Sequence, residues 1–141
     1  MKKSGINLYF PKYWEYATPK EREWLCNGCG AKPIKVSDSI LGLDISIACK
    51  IHDFQYAFAK NEVDKAKADS AFLTNMIALI DRKASLKDKI LAYPRRCIAT
   101  IYYGAVRDFG FPFIGVSDDK KYIIEKIVRR YNDKNKQISI A

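Results

Sequence analysis

The sequence predicts an all-α domain. Apolar residues recur at helical spacing in one segment after another, and capping residues, glycines and prolines punctuate the segment ends. No alternating stretch long enough for a useful strand appears. Taken in order, residues 1–17 mix aromatics with Pro11 and keep no period, so they form an irregular arm. Thr18-Pro19-Lys20-Glu21 is a capping box with proline at the first helical position, which predicts a short helix from Pro19 to about Leu25. Asn27-Gly28-Cys29-Gly30 ends it, because two close glycines favour a tight backbone. Residues 31–43, with Pro33, Ser37, Asp38, Ser39 and Gly42, read as a loop.

Helical spacing resumes near Asp44 and lasts to about Lys60, with Asn61-Glu62 as a short turn. The next helix, Val63 to about Arg82, carries Phe72, Met76, Leu79 and Ile80 on one stripe. A further helix spans about Leu86 to Phe109, where Pro94 predicts a kink or a split, and Gly110-Phe111-Pro112 closes it. Ser117 or Asp118 caps a last helix over 117–134, with Ile123, Ile124, Ile127, Val128 and Tyr131 as its buried stripe. No linker, repeat or low-complexity tract divides the 141 residues, so the expectation is a single domain over 1–141, with its chemistry in 26–76.

Composition excludes several classes. Apolar residues make up 48% of the chain and aromatics 13%, too much for a solvated disordered tail. Charge-free apolar stretches such as Ala71–Ile80 and Cys97–Val106 run ten residues, whereas a membrane span needs roughly 18 or more. Ser4-Gly5-Ile6-Asn7 follows Lys2 and Lys3 where a secretory signal would place an apolar run, so no signal is visible and the compartment stays open. Four cysteines are too few for a disulfide scaffold. The net charge of +9 is spread along the chain rather than gathered in a tract, which points to a broad surface effect and not to a nucleic-acid partner.

The segment with unusual chemistry surrounds the only histidine. On a helix, Cys49, His52, Asp53 and Tyr56 fall at i, i+3, i+4 and i+7 and share one face. A thiol, an imidazole, a carboxylate and a phenol make an odd packing stripe. In the following helix Asp69 interrupts the apolar stripe of Phe72 and Met76, and a buried charge is costly unless paired. His52 lies about 12 Å before the end of its helix and Asp69 about 8 Å after the start of the next. The turn between is short, so the helices are antiparallel neighbours and the two side chains lie within about one turn of the same level. A carboxylate on one imidazole nitrogen fixes the tautomer and leaves the other as a base, and Tyr56 can donate to the same carboxylate. A plainer account of Asp69 is a salt bridge to Lys65 at i−4. Ahead of this helix, Gly28-Cys29-Gly30-Ala31-Lys32 can turn several carbonyl oxygens toward one point, and with Asp53 these make an oxygen-only set of the kind Ca²⁺ accepts.

These residues resemble the phospholipase A2 superfamily. The match is Gly28-Cys29-Gly30 for a calcium loop, Cys49-x-x-His52-Asp53-x-x-Tyr56 for a catalytic helix and Ala68-Asp69-x-x-Phe72 for its partner. The order continued by Tyr103-Gly104-Ala105-Val106-Arg107-Asp108-Phe109-Gly110 is similar to small proteins of bacteria and their phages. The resemblance implies a small helical fold with two antiparallel core helices and an irregular calcium loop. It implies Ca²⁺-dependent hydrolysis of the sn-2 ester of glycerophospholipids at a membrane interface, with anionic head groups favoured by the charge. His52 would be the general base on water, oriented by Asp69, with Tyr56 supporting that carboxylate and Tyr102 or Tyr103 as a further candidate support. Asp53 and the carbonyls of Gly28, Gly30 and Lys32 would hold Ca²⁺, and the Gly30 amide would help to stabilise the oxyanion. Cys29 and Cys49 fall where the secreted enzymes place a disulfide, leaving Cys26 and Cys97 as a second pair.

Two other readings share the same residues. Cys26, Cys29, Cys49 and His52 have the spacing of a structural Zn²⁺ site, which would make the chain a binding module for nucleic acid. A chain of this type retained for a non-catalytic role in a phage or bacterium is the other. The aromatics Phe10, Tyr13, Trp14, Tyr16 and Trp24 suit either a membrane-interface rim or the packing of the arm onto the core.

Overall fold

The computed structural model describes residues 2–3, 6–26 and 37–140, with no account of the side chains of 2–3 and 137–140. Within them the chain is mostly helical: α1 (Pro19–Leu25), α2 (Ser46–Phe58), α3 (Glu62–Asp81), α4 (Leu86–Phe109) and α5 (Lys121–Ile140). Side-chain caps start three of these where the sequence places them. Thr18 Oγ1 accepts from the Glu21 amide at 3.1 Å while Glu21 Oε1 accepts from the Thr18 amide at 2.8 Å. Asn61 caps α3 through the Asp64 amide, and Ser85 caps α4 through the Asp88 amide.

Four differences from expectation have local causes. The arm holds an antiparallel pair, β1 (Lys2–Lys3) with β2 (Ile6–Asn7), and a 3₁₀ turn at Trp14–Tyr16. The described part of the expected loop holds a second pair, β3 (Ser39–Ile40) with β4 (Leu43–Asp44). Its two-residue turn needs positive φ at both positions, 45° at Leu41 and 80° at Gly42, as tight hairpins do. Arg95, buried in α4, holds that turn by donating to the Ile40 carbonyl at 3.2 Å and the Leu41 carbonyl at 2.7 Å. Strands of two residues are too short to show a period, so pattern reading passes over them. Pro94 does not split α4. It removes the bond to the Ile90 carbonyl, and Ile90 is exposed, so water can serve that oxygen. Finally, a 3₁₀ turn at Asp118–Lys120 precedes α5, which runs to Ile140, past the expected 134.

α2 is the central element because it lies between two apolar clusters. Cys49 and Ala48 face Ile40, Ile45, Phe72, Met76 and Ala99 on one side, and Ile51 and Phe54 face Trp14, Leu25, Ile123 and Ile127 on the other. The arm packs onto this second cluster. Trp14 meets Phe54 edge-on at 5.2 Å, Tyr13 stacks on Phe58 at 4.8 Å, and Tyr16 meets Tyr131 at 5.3 Å. Of the five aromatics considered for a membrane rim, only Trp24 is exposed. The Asn75 side chain, fully buried in α3, pins the arm from the other side: Oδ1 accepts from the Tyr9 amide at 2.7 Å and Nδ2 donates to its carbonyl at 3.0 Å. Among the described residues no helix is long and apolar enough to cross a membrane.

An ion pair joins α5 to α1. Arg130 donates through both terminal nitrogens to the Glu21 carboxylate and also to the Tyr16 carbonyl. The guanidinium holds Glu21 down at about 2 against its ordinary 4.5, overcoming the opposing effect of burial. A depressed acid stabilises the fold above its unfolded pKa and loses that contribution as pH falls. The melting temperature should therefore drop between about pH 4.5 and 2, and Glu21→Gln, already lower at neutral pH, should show a shallower drop over that window.

Candidate active site

α2 and α3 are joined by three residues, 59–61, and run back along each other. This reversal brings His52 and Asp69 together. His52 Nε2 lies 2.9 Å from Asp69 Oδ1, the Tyr56 hydroxyl donates to the same oxygen at 2.6 Å, and Lys65 Nζ donates to Oδ2 at 2.8 Å. All four side chains are buried, His52 at 4% and Asp69 at 1% exposure. The i, i+3, i+4, i+7 face is as expected: Cys49, His52, Asp53 and Tyr56 are all buried along α2. Both accounts of Asp69 hold at once, since the carboxylate takes the imidazole on one oxygen and the i−4 ammonium on the other.

Burial alone would raise the Asp69 pKa, but the bonds from His52, Lys65 and Tyr56 outweigh it and hold the carboxyl below its ordinary value. An ionised carboxylate only accepts, so a proton lies on Nε2 in the bond to Asp69, and in the neutral ring that tautomer puts the lone pair on Nδ1. Burial and the bond to Asp69 push the Tyr56 phenol well above its ordinary value, so it stays a donor. The Phe72 ring stacks on the imidazole at 4.6 Å and Tyr56 flanks it at 4.1 Å, which fixes the plane of the ring.

Lys65, expected from its i−4 spacing only as a salt-bridge partner of Asp69, has a second contact. Its ammonium, in a residue only 3% exposed, bridges Asp69 and the Arg107 carbonyl at 2.8 Å, tying α3 to the end of α4. The i−4 spacing was the available signal; its burial was not legible. Tyr102 and Tyr103 do not support Asp69. The Tyr102 hydroxyl approaches the Ser39 carbonyl at 3.4 Å and the Tyr103 ring lies under Arg107.

Gly110 has a packing role that its sequence context did not announce. A Cβ there would fall on the Tyr56 hydroxyl and the Val106 carbonyl oxygen, with Tyr56 Cε2 at 3.2 Å. Gly110→Ala should push the phenol off Asp69 and lower stability by about 1–3 kcal/mol, the usual cost of overpacking. Urea denaturation checks this, and Tyr56→Phe, which removes the hydroxyl without the clash, should lose less.

Asp53, next to His52 and 6% exposed, lines a small pocket of about 130 Å³ with Tyr56, Leu25, Gly115, Ser117 and Lys120. The Gly115 amide donates to the Tyr56 carbonyl at 2.7 Å and holds this wall against the end of α2. His52 is not part of the wall. The expected calcium-loop residues Gly28, Gly30 and Lys32 lie outside the described residues, as does Cys29. Asp53 itself fits a hard cation by donor type, as a shielded oxygen anion at a pocket.

The cysteines depart from one expectation. Cys49 is disulfide-bonded, while Cys26 and Cys97 are free thiols and form no second pair. Cys26, at the end of α1, donates to the Lys50 carbonyl on α2 at 3.1 Å, and Cys97 is exposed on α4, which packs against α3. Burial and the charge of Asp53 push the Cys26 thiol up to about 12. Among the described residues no three His, Cys, Asp or Glu side chains gather to hold a metal.

The fold and site together define a mostly helical protein with a buried imidazole–carboxylate pair backed by a phenol and an ammonium. Comparison of the chain with protein-family models, with curated proteins and with solved structures found no match.

Proposed function

We propose that the chain is a phospholipase A2-like hydrolase that cleaves the sn-2 ester of glycerophospholipids at a membrane interface, with Ca²⁺ as its cofactor. The observation that carries this reading is the bond from His52 Nε2 to a buried, ionised Asp69, beside Asp53 at a pocket. His52 Nδ1 takes a proton from water as the oxygen attacks the ester carbonyl. Asp69 holds the ring in the tautomer that permits this and stabilises the imidazolium that forms. Tyr56 and Lys65 keep Asp69 ionised and in place. The same imidazolium returns its proton to the departing alkoxide, which closes the cycle. Asp53, with carbonyls from Gly28, Gly30 and Lys32, would hold the calcium ion. Bound there, the ion would supply positive charge against the negative charge developing on the carbonyl oxygen, together with the Gly30 amide.

The zinc reading, Cys26, Cys29, Cys49 and His52, sits poorly with a disulfide-bonded Cys49, because a metal ligand must be a thiolate. The testing experiment uses phosphatidylglycerol vesicles carrying a labelled fatty acid at sn-2 or at sn-1. Release of the sn-2 acid in Ca²⁺, none from sn-1 and none in chelator, is the expected result. No release from folded protein would sink the enzyme reading in favour of a non-catalytic role. Stoichiometric zinc in that sample would favour the binding module.

A further inference from the structure

α4 is apolar on two opposite faces. Inward, Ala92, Ala99 and Val106 are buried. Outward, Leu86, Ile90, Tyr93 and Ile101 stand 73%, 68%, 78% and 66% exposed, with the exposed thiol of Cys97 among them. Their spacings of four, three, four and four residues keep them on one line along the helix, about 22 Å long. Scattered exposed apolar residues are ordinary, but a continuous line of large ones marks an interaction surface.

The charges beside the line indicate what covers it. Lys87 and Lys89 flank its first half, and no ion pair engages them among the described residues. The acids nearby are already neutralised: Asp88 is paired with Arg95, Asp81 with Arg96 and Asp108 with Arg107. A second copy packed in parallel register on this face would bring cations against cations, and one packed antiparallel would leave Lys87 and Lys89 against the uncharged stretch 97–100 with no anion to meet. A surface that is apolar inside and anionic at its edge complements it, and Tyr93 at the centre is a side chain suited to the lipid–water boundary.

We propose that the outward face of α4 docks on an anionic lipid bilayer, its apolar line entering the boundary region and Lys87 and Lys89 meeting lipid phosphates. The inference concerns attachment and does not depend on the chemistry at His52. A chain that releases no fatty acid can still dock, and one that hydrolyses dispersed lipid can do so without this face.

The test is co-sedimentation with phosphatidylglycerol-containing vesicles in chelator, so that hydrolysis is not read, alongside light scattering for oligomeric state. The full chain should bind as a monomer, and more weakly to neutral phosphatidylcholine vesicles. Ile90→Glu and Tyr93→Glu, both at exposed positions, should each lower partitioning by roughly tenfold or more. Val63→Glu, on α3 and 62% exposed in the wild type, should bind as before. Circular dichroism confirms that each variant is folded. The proposal is overturned by a wild type that does not bind, by α4 variants that bind unchanged, or by equal losses in all three. A dimer that Ile90→Glu dissociates also overturns it, since a second copy would then cover the line.

Discussion

His52→Ala is expected to reduce sn-2 fatty acid release by roughly 10²–10⁴-fold, the range that a positioned general base contributes. The loss should fall in kcat with KM little changed, because the imidazole moves a proton in the transition state and is not needed to hold the lipid. Stability should change less than activity. The variant opens a cavity beside Phe72 and Tyr56 and leaves Asp69 with the phenol and the ammonium. Vesicle assays at saturating Ca²⁺ with matched thermal melts separate the two effects. A folded His52→Ala protein that keeps wild-type release would remove the imidazole from the reaction.

Asp69→Ala is expected to be the costliest change to the fold, about 3–5 kcal/mol, because it removes one partner of a buried charge pair. The Lys65 ammonium would then be left in a 3%-exposed site with the Arg107 carbonyl as its remaining partner. The double variant Asp69→Ala, Lys65→Met should recover part of that loss, since it removes the stranded charge and fills the space with an apolar chain. Activity should not recover with it, because His52 still lacks its carboxylate. Urea denaturation of the two single variants and the double variant measures the coupling. If the double variant is no more stable than Asp69→Ala alone, the ammonium is not what destabilises it.

Much of this was legible before folding. The capping box at Thr18, the apolar stripe from Phe72 to Ile80 and the breaks at Asn61 and Gly110 are local signals, and local signals set helix ends and faces. The pairing of His52 with Asp69 was legible too, because one short turn between two helices makes their separation a matter of arithmetic. The two small antiparallel strand pairs were not. A strand of two residues has no period, and the β3–β4 turn is stabilised by Arg95, which lies more than fifty residues away in sequence.

The sequence by itself therefore determined the helical class, the shared face of Cys49, His52, Asp53 and Tyr56, and the meeting of the imidazole with a carboxylate. These depend on helical period and a short connection. Tertiary structure decided the rest. It buried Lys65 against Asp69 and the Arg107 carbonyl, left Gly110 no room for a Cβ beside Tyr56, and kept Cys26 apart from Cys97. It also turned the line from Leu86 to Ile101 outward while α4 spent its other face on α3. Each of these depends on which helix lies against which, and neither periodicity nor spacing along one chain segment carries that information.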